Sequence, residues 1–276
     1  MAGRADFIPI FGATSIVGFN LARLYPEKTL GYVPLGNKAR DDLKTDFLHL
    51  KESGWAQRLF DGNFPAILFY THAVCNVGIC ERHPEWAYEV NVNNLRRVLT
   101  DVPSLVRIVY VSSDHVFGND GRYTEHSPTC PISVYGHTRV AAEALVLARK
   151  NALVLRHGLA IGPSFDGKTG HLDWLLYRSA NQLPLTLIED EARSAVPVEA
   201  LCERIMAFAL SEECGLRHIP ATRIVSRPEL ADYLIHKHQL KPIMSTKTRA
   251  QQPAPHLGRI EIQSDHQSPL TAPISS

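Results

Sequence analysis

Phe7 to Phe11 is a short apolar run that ends at Gly12, and Ile16, Phe19 and Leu24 then recur at helical spacing as far as Pro26. Thr29 to Leu35 reads as a second strand. Ala66 to Tyr70 is continuously apolar, the pattern of a strand covered on both faces. Pro84 opens a helix expected to reach about Leu99, with Trp86, Val90, Leu95 and Val98 turned inward. Val106 to Val111 is the next strand, Val134 to Lys150 a long helix and Ala152 to Leu155 the strand after it. This alternation predicts an α/β fold, a Rossmann-type doubly wound parallel sheet over residues 1–163 that is completed by about 194–220.

The pattern changes after Gly162. Pro163 to Gly170 is polar, Leu172 to Ala180 is helical, Leu185 to Ile188 is a short strand, and Ala200 to Leu210 is a helix that returns to the sheet. Arg227 to Gln239 is a further helix. From Ser245 onward the chain is rich in Pro, Ser, Thr and Gln, which predicts irregular structure. Residues 164–193 and 221–276 are expected to form a small substrate-binding lobe.

With 29 basic and 28 acidic residues, the balance gives no reason to invoke nucleic acid or a membrane surface as partner. No apolar run is long enough to span a bilayer, so the cytoplasm is the default compartment. The five cysteines form no C-x-x-C pair, and Cys75 and Cys80 read as buried or half-buried thiols. Among thirteen histidines none has H-E-x-x-H spacing, so no metal site is expected. The acidic run Glu189-Asp190-Glu191 reads as a solvated turn. Ser113 lacks a G-x-S-x-G elbow, which argues against a hydrolase.

Gly12-Ala13-Thr14-Ser15-Ile16-Val17-Gly18 follows a strand and opens a helix, the setting in which free backbone N–H groups attract a pyrophosphate. Gly12, Thr14, Ser15, Ile16 and Gly18 are the candidate dinucleotide contacts. Ser15 stands where such loops usually have glycine. It can cap the helix, or crowd the cofactor if the backbone there needs a positive φ. After the second strand no acid precedes Asp41. Lys38 and Arg40 instead suit a 2′-phosphate, which leans toward NADP over NAD.

Ser113 ends a strand in V-S-S-D-H-V-F-G, and Tyr135 opens a helix with Arg139 one turn beyond. Together they can protonate a carbonyl. The phenol is the acid, the cation lowers its pKa, and the serine hydroxyl holds the substrate oxygen. His115 is a candidate second acid near neutral pH.

These segments resemble the extended short-chain dehydrogenase/reductase family, with the strongest likeness to its dTDP-4-dehydrorhamnose reductase group. The residues that carry it are Ser112-Ser113-Asp114-His115-Val116-Phe117, Tyr135-Gly136-His137-Thr138-Arg139 with Glu143, Val77 to Glu81 with Pro84, Asn91-Val92-Asn93, Leu155-Arg156-His157, and Val196 to Leu201. The resemblance implies that Tyr135 is the proton donor, that Ser113 orients the carbonyl, and that Arg139 binds the nicotinamide ribose. It places Ala73 along the cofactor, Asp46 and Phe47 by the adenine, and Ser113, Asp114, His115 and Arg193 on the substrate side. Asn91 would be structural. The implied substrate is a small molecule, a sugar nucleotide or similar hydroxy-ketone, and a homodimer through two sheet-flanking helices is open.

Four positions depart from the family pattern. Arg139 replaces lysine, Gly78 replaces an acid, His115 replaces an aromatic and Ser15 replaces glycine. Arginine keeps the charge but is planar and does not titrate. Two functions therefore stand side by side: an NAD(P)-dependent reductase or epimerase, and a regulatory or scaffold protein that keeps the fold without turnover.

Overall fold

The computed structural model describes residues 7–34 and 45–274. In chain order its elements are β1 (Ile8–Phe11), α1 (Ile16–Leu24), β2 (Thr29–Pro34), β3 (Thr45–Leu48), α2 (Trp55–Phe60), β4 (Ile67–Tyr70), α3 (Val77–Arg82), α4 (Pro84–Tyr88), α5 (Asn94–Asp101), β5 (Arg107–Ser113), β6 (Gly121–Tyr123), α6 (Val134–Leu147), β7 (Leu153–His157) and β8 (Leu159–Ile161). Then come α7 (His171–Ala180), β9 (Leu185–Ile188), β10 (Ala192–Pro197), α8 (Val198–Leu210), β11 (Gly215–Ile219), β12 (Ile224–Ser226), α9 (Arg227–His238), β13 (Met244–Lys247) and β14 (Arg259–Ile262).

Seven strands form one parallel sheet in the order β11-β7-β5-β4-β1-β2-β3. Alternate residues along each strand feed two cores, as the period-2 pleat requires. Ile10, Phe69, Val109, Leu153 and Leu155 face one side, against α1 and α8. Phe11, Leu68, Tyr70, Ile108, Tyr110 and Val154 face the other, against α2, α5 and α6. The order in which the chain lays down strands reverses between β1 and β4, so a crevice opens beyond their carboxyl ends, where doubly wound sheets take ligands. A second sheet holds β12-β10-β14-β6, with β8 on the other part of β10, and β9 pairs β13.

Four expectations change. The helix expected from Pro84 to Leu99 is interrupted by a π-helical turn, Glu89–Asn93. Ala87 and Asn91 face inward there, while Trp86 is 49% exposed. The inward slots lie against α6 and the loop after β4, where a small side chain and an amide fit and an indole does not. Asn91 clamps both: its amide holds the Val74 backbone at 2.7 and 3.0 Å and donates to Thr138 Oγ1 at 2.9 Å. Secondly, the strand expected at Val106 to Val111 begins one residue later and extends to Ser113. Thirdly, the segment after Ser245 is not all irregular. Ile260 and Ile262 are buried on Val116 and Phe117 as alternate residues of β14, a period too short to stand out in a Pro- and Gln-rich stretch. Of the two thiols expected to be covered, Cys80 is buried and Cys75 is exposed.

Candidate active site

The nucleotide loop is set by contacts too close for side chains. Gly12 has φ +102°, and a Cβ on it would lie 2.4 Å from the His72 backbone nitrogen. A Cβ on Gly18 would lie 2.3 Å from the Gly12 carbonyl. Thr71 Oγ1 donates to that same carbonyl at 2.9 Å, tying the end of β4 to the end of β1. Ser15 has φ −70° and ψ 156°, an ordinary conformation for serine, so no glycine is required there. Its Oγ accepts the Gly18 amide at 3.0 Å and caps α1. The amides of Ile16 and Val17, in the first turn of α1, have no protein partner among the described residues. Thr14 and Ile16 are partly exposed beside them. A glycine cradle with free amides at a helix N-terminus fits the pyrophosphate of a dinucleotide.

Ala73 follows β4 and is partly exposed at the same crevice. Asp46 and Phe47 lie in β3, opposite Tyr32 and Val33, on the far side of β1 and β2 from β4. Lys38 and Arg40 lie outside the described residues.

Ser113 is the last residue of β5 and Tyr135 the second of α6. Ser133 caps α6 by accepting the Gly136 amide at 3.1 Å. A Cβ on Gly136 would lie 2.3 Å from the His115 carbonyl oxygen, so this glycine lets the helix press onto the turn after Ser113. That approach sets the end of β5 against the start of α6, so that Ser113 acts on the Tyr135 phenol and lowers its pKa, against the larger effect of burial. Ser113 Oγ also donates to Asp114 Oδ1 at 3.2 Å.

Arg139 Nε donates to Tyr135 Oη at 2.9 Å, and its Nη1 donates to Tyr110 Oη at 2.8 Å. Its guanidinium carbon lies 5.0 Å from the Tyr135 ring centre and 5.6 Å from that of Tyr110. The Tyr135 pKa is nevertheless raised. Burial disfavours the phenolate more than Arg139 favours it, so the expected depression is not met. Burial likewise pushes the Tyr110 phenol up to about 12 against the pull of Arg139.

His115 packs edge-on against Tyr135, with ring centres 5.0 Å apart. Burial, reinforced by Arg193, lowers its pKa to about 3, so it is neutral near pH 7 and does not serve there as an imidazolium acid. Asp114 and Arg193, expected on the substrate side, are brought together and bind each other. Arg193 Nε and Nη2 donate to the two Asp114 oxygens, and both residues are buried.

Sequence reasoning missed several neighbours. Glu191 was expected in solvent but is 2% exposed. Burial opposes its charge, yet Arg227, His256 and Arg193 hold its carboxyl far below the usual range. Only Glu189 and Asp190 form the turn. Tyr110 was legible in principle, because it shares a strand face with Ser112 two residues on. Arg227 and His171 carried no signal: each is a lone polar residue at a helix start.

Residues 7–264 match the family described as the RmlD substrate binding domain. The chain belongs to that family. Methionine adenosyltransferase 2 subunit beta from Xenopus tropicalis is 30% identical over 153 residues, which are 53% of this chain and 45% of that protein. The chain thus spans about half the length of the curated relatives it matches. The crystal structure of a dTDP-4-dehydrorhamnose reductase from Bacillus anthracis in complex with NADP is similar at a TM-score of 0.75 and 20% identity, covering 93% of this chain and 89% of that one. The UDP-glucose 4-epimerase of Thermus thermophilus in complex with NAD gives 0.79 at 19% identity, with 93% and 90% covered. These likenesses show the Rossmann-type reductase/epimerase fold. No helix among the described residues is long and apolar enough to cross a membrane.

Proposed function

We propose that the chain is an NAD(P)-dependent oxidoreductase that reduces or epimerises the keto group of a sugar nucleotide or similar hydroxy-ketone. The observation that carries this is the convergence of Tyr135, Ser113 and Arg139 at the carboxyl end of β5, in the sheet whose switch point holds the Gly12–Gly18 cradle. The Gly12–Gly18 cradle would hold a nicotinamide dinucleotide, which would supply or accept the hydride at the substrate carbon. Tyr135 donates the proton to the carbonyl oxygen, and its raised pKa keeps that proton in place at neutral pH. Ser113 orients the oxygen. Arg139 holds the phenol by its oxygen and stabilises the phenolate left after transfer. Gly12, Ser15 and Gly18 shape the pyrophosphate site, Thr14 and Ile16 border it, and Ala73 flanks the cofactor. Lys38 and Arg40 would favour NADP over NAD. The RmlD family membership and the NADP- and NAD-bound structural relatives support this assignment.

A regulatory protein that binds the dinucleotide without turnover is the second reading. It is favoured by the commitment of Arg139 to Tyr110 and by the likeness to methionine adenosyltransferase 2 subunit beta. Titration with NADPH and NADH, followed by reduced-nicotinamide fluorescence, separates the cases. Binding of neither removes the oxidoreductase. Binding with turnover on a panel of 4-keto sugar nucleotides and simple hydroxy-ketones establishes it, and binding without turnover favours the regulator.

A further inference from the structure

We infer that the compound reacting beside Tyr135 presents an uncharged, hydroxyl-bearing end, and that Arg193 and Arg227 are not receptors for a nucleoside diphosphate. This rests on the oxidoreductase reading and narrows its substrate. Arg193 has its Nε and Nη2 on the two oxygens of Asp114 and its Nη1 at 3.5 Å from Glu191 Oε1. Arg227 Nη2 donates to the same Glu191 oxygen at 2.7 Å, and its Nη1 meets the His171 ring 2.7 Å from Nδ1. Two guanidiniums therefore face two carboxylates, and the array closes at zero charge.

Of the surrounding imidazoles, His115, His157 and His171 add none, while His256 Nδ1 lies 3.4 Å from the other Glu191 oxygen. Burial brings His157 to about 4, and burial with Arg227 beside it holds His171 well below its ordinary value. His115 is neutral for the reason already given. Arg139 keeps its positive charge, but its Nε and Nη1 are taken by two neutral phenols and stand at Tyr135 itself. An entering phosphate would have to pull an arginine from a buried carboxylate, taking from Asp114 its two-pronged partner or from Glu191 one of its three, which the low-dielectric surroundings oppose.

What the site does offer is neutral hydrogen bonding. Among the described residues the buried Nδ1 atoms of His115 and His157 have no partner, and the two rings adjoin the site: His115 packs on Tyr135, and His157 is paired with Ser113 in the sheet register. Buried polar atoms are ordinarily paired, so these two suit hydroxyl groups brought by a ligand.

The test is calorimetric titration of the full chain with UDP and with dTDP, alone and saturated with NADPH. Wild type is expected to show no saturable nucleotide binding that depends on Arg193 or Arg227. Asp114→Asn and Glu191→Gln, each of which frees part of an arginine, are expected to gain at least tenfold in affinity, with a thermal melt confirming that each is folded. Wild-type binding weakened tenfold by Arg193→Lys or Arg227→Lys overturns the inference, as does a failure of both folded carboxylate variants to gain. Wild-type binding that neither lysine variant changes places the diphosphate away from the array and supports it. Failure to bind NADPH would sink the oxidoreductase reading, while titration of the protein alone still decides the array.

Discussion

Arg139 is shared between two tyrosines. Its Nη1 donates to Tyr110 at 2.8 Å while its Nε donates to Tyr135 at 2.9 Å, so the cation that the site needs at Tyr135 is also anchored in the core. Tyr110 in turn stacks on Tyr70 at 6.0 Å, whose hydroxyl is buried without a partner among the described residues. The guanidinium is thus fixed by a wall of aromatic residues behind the reaction centre.

Replacing Arg139 by lysine exchanges a planar fork for a compact ammonium that reaches one phenol at a time. Tyr110 would lose its donor, at a cost of about 1–2 kcal/mol in stability. The freed ammonium can serve Tyr135 and a cofactor ribose together. We expect Arg139→Lys to unfold at lower denaturant concentration and to turn over about fivefold faster or more. Equal or slower NADPH oxidation would mean that the guanidinium is the better partner in this wall.

Tyr135→Phe is expected to lower turnover by about 10²–10⁴-fold, the usual worth of a positioned acid, with NADPH affinity unchanged within about twofold. The wild-type pH profile tests the same group. The active form carries the proton, and burial raises the Tyr135 pKa above its ordinary 10.0. Reduction should therefore not decline from loss of this proton until pH exceeds about 10. A descending limb below about pH 9 that Tyr135→Phe removes would show that Arg139 outweighs burial once the cofactor is bound.

The sheet, its helices and the Ser113–Tyr135–Arg139 relation were legible because apolar runs, helical spacing and the Gly12 and Gly136 positions are local signals. The charge array was not. Glu191 lies in the run Glu189-Asp190-Glu191, where composition points to solvent, and only the entry into β10 turns the third acid inward toward Arg193 and Arg227. The Tyr135 pKa was misjudged for a related reason. A sequence shows the nearby cation but not the burial opposing it. β14 escaped because two isoleucines are a short pattern, yet both are essentially inaccessible under Phe117.

Ser15 accounts for its own departure from glycine. It caps α1 from a conformation that needs no glycine. Ser15→Ala should destabilise the protein by about 1 kcal/mol and Ser15→Gly by only a few tenths, read from urea unfolding. If Ser15→Gly instead tightens NADPH binding tenfold, the hydroxymethyl group is crowding the pyrophosphate.

Stability should fall in two stages on acidification. His72, His115 and His157 are partly or wholly covered and lowered by burial to about 4, 3 and 4. Below their ordinary pKa of 6.5 the unfolded chain takes up protons that the folded chain does not, so unfolding gains ground as pH drops from 6.5 toward 4. Each histidine contributes a slope approaching about 1.4 kcal/mol per pH unit within that window. Asp114 and Glu191 act at lower pH. Their folded pKa values are depressed by Arg193 and Arg227 despite burial, so their stabilisation is complete above the ordinary carboxylate range and is lost as pH falls through and below it. Urea unfolding at about pH 7, 6, 5 and 4 measures the first stage. His157→Asn, which cannot titrate, should flatten the slope between pH 6.5 and 4. An unchanged slope in that variant would mean that His157 is protonated in the folded protein and paired with Asp114.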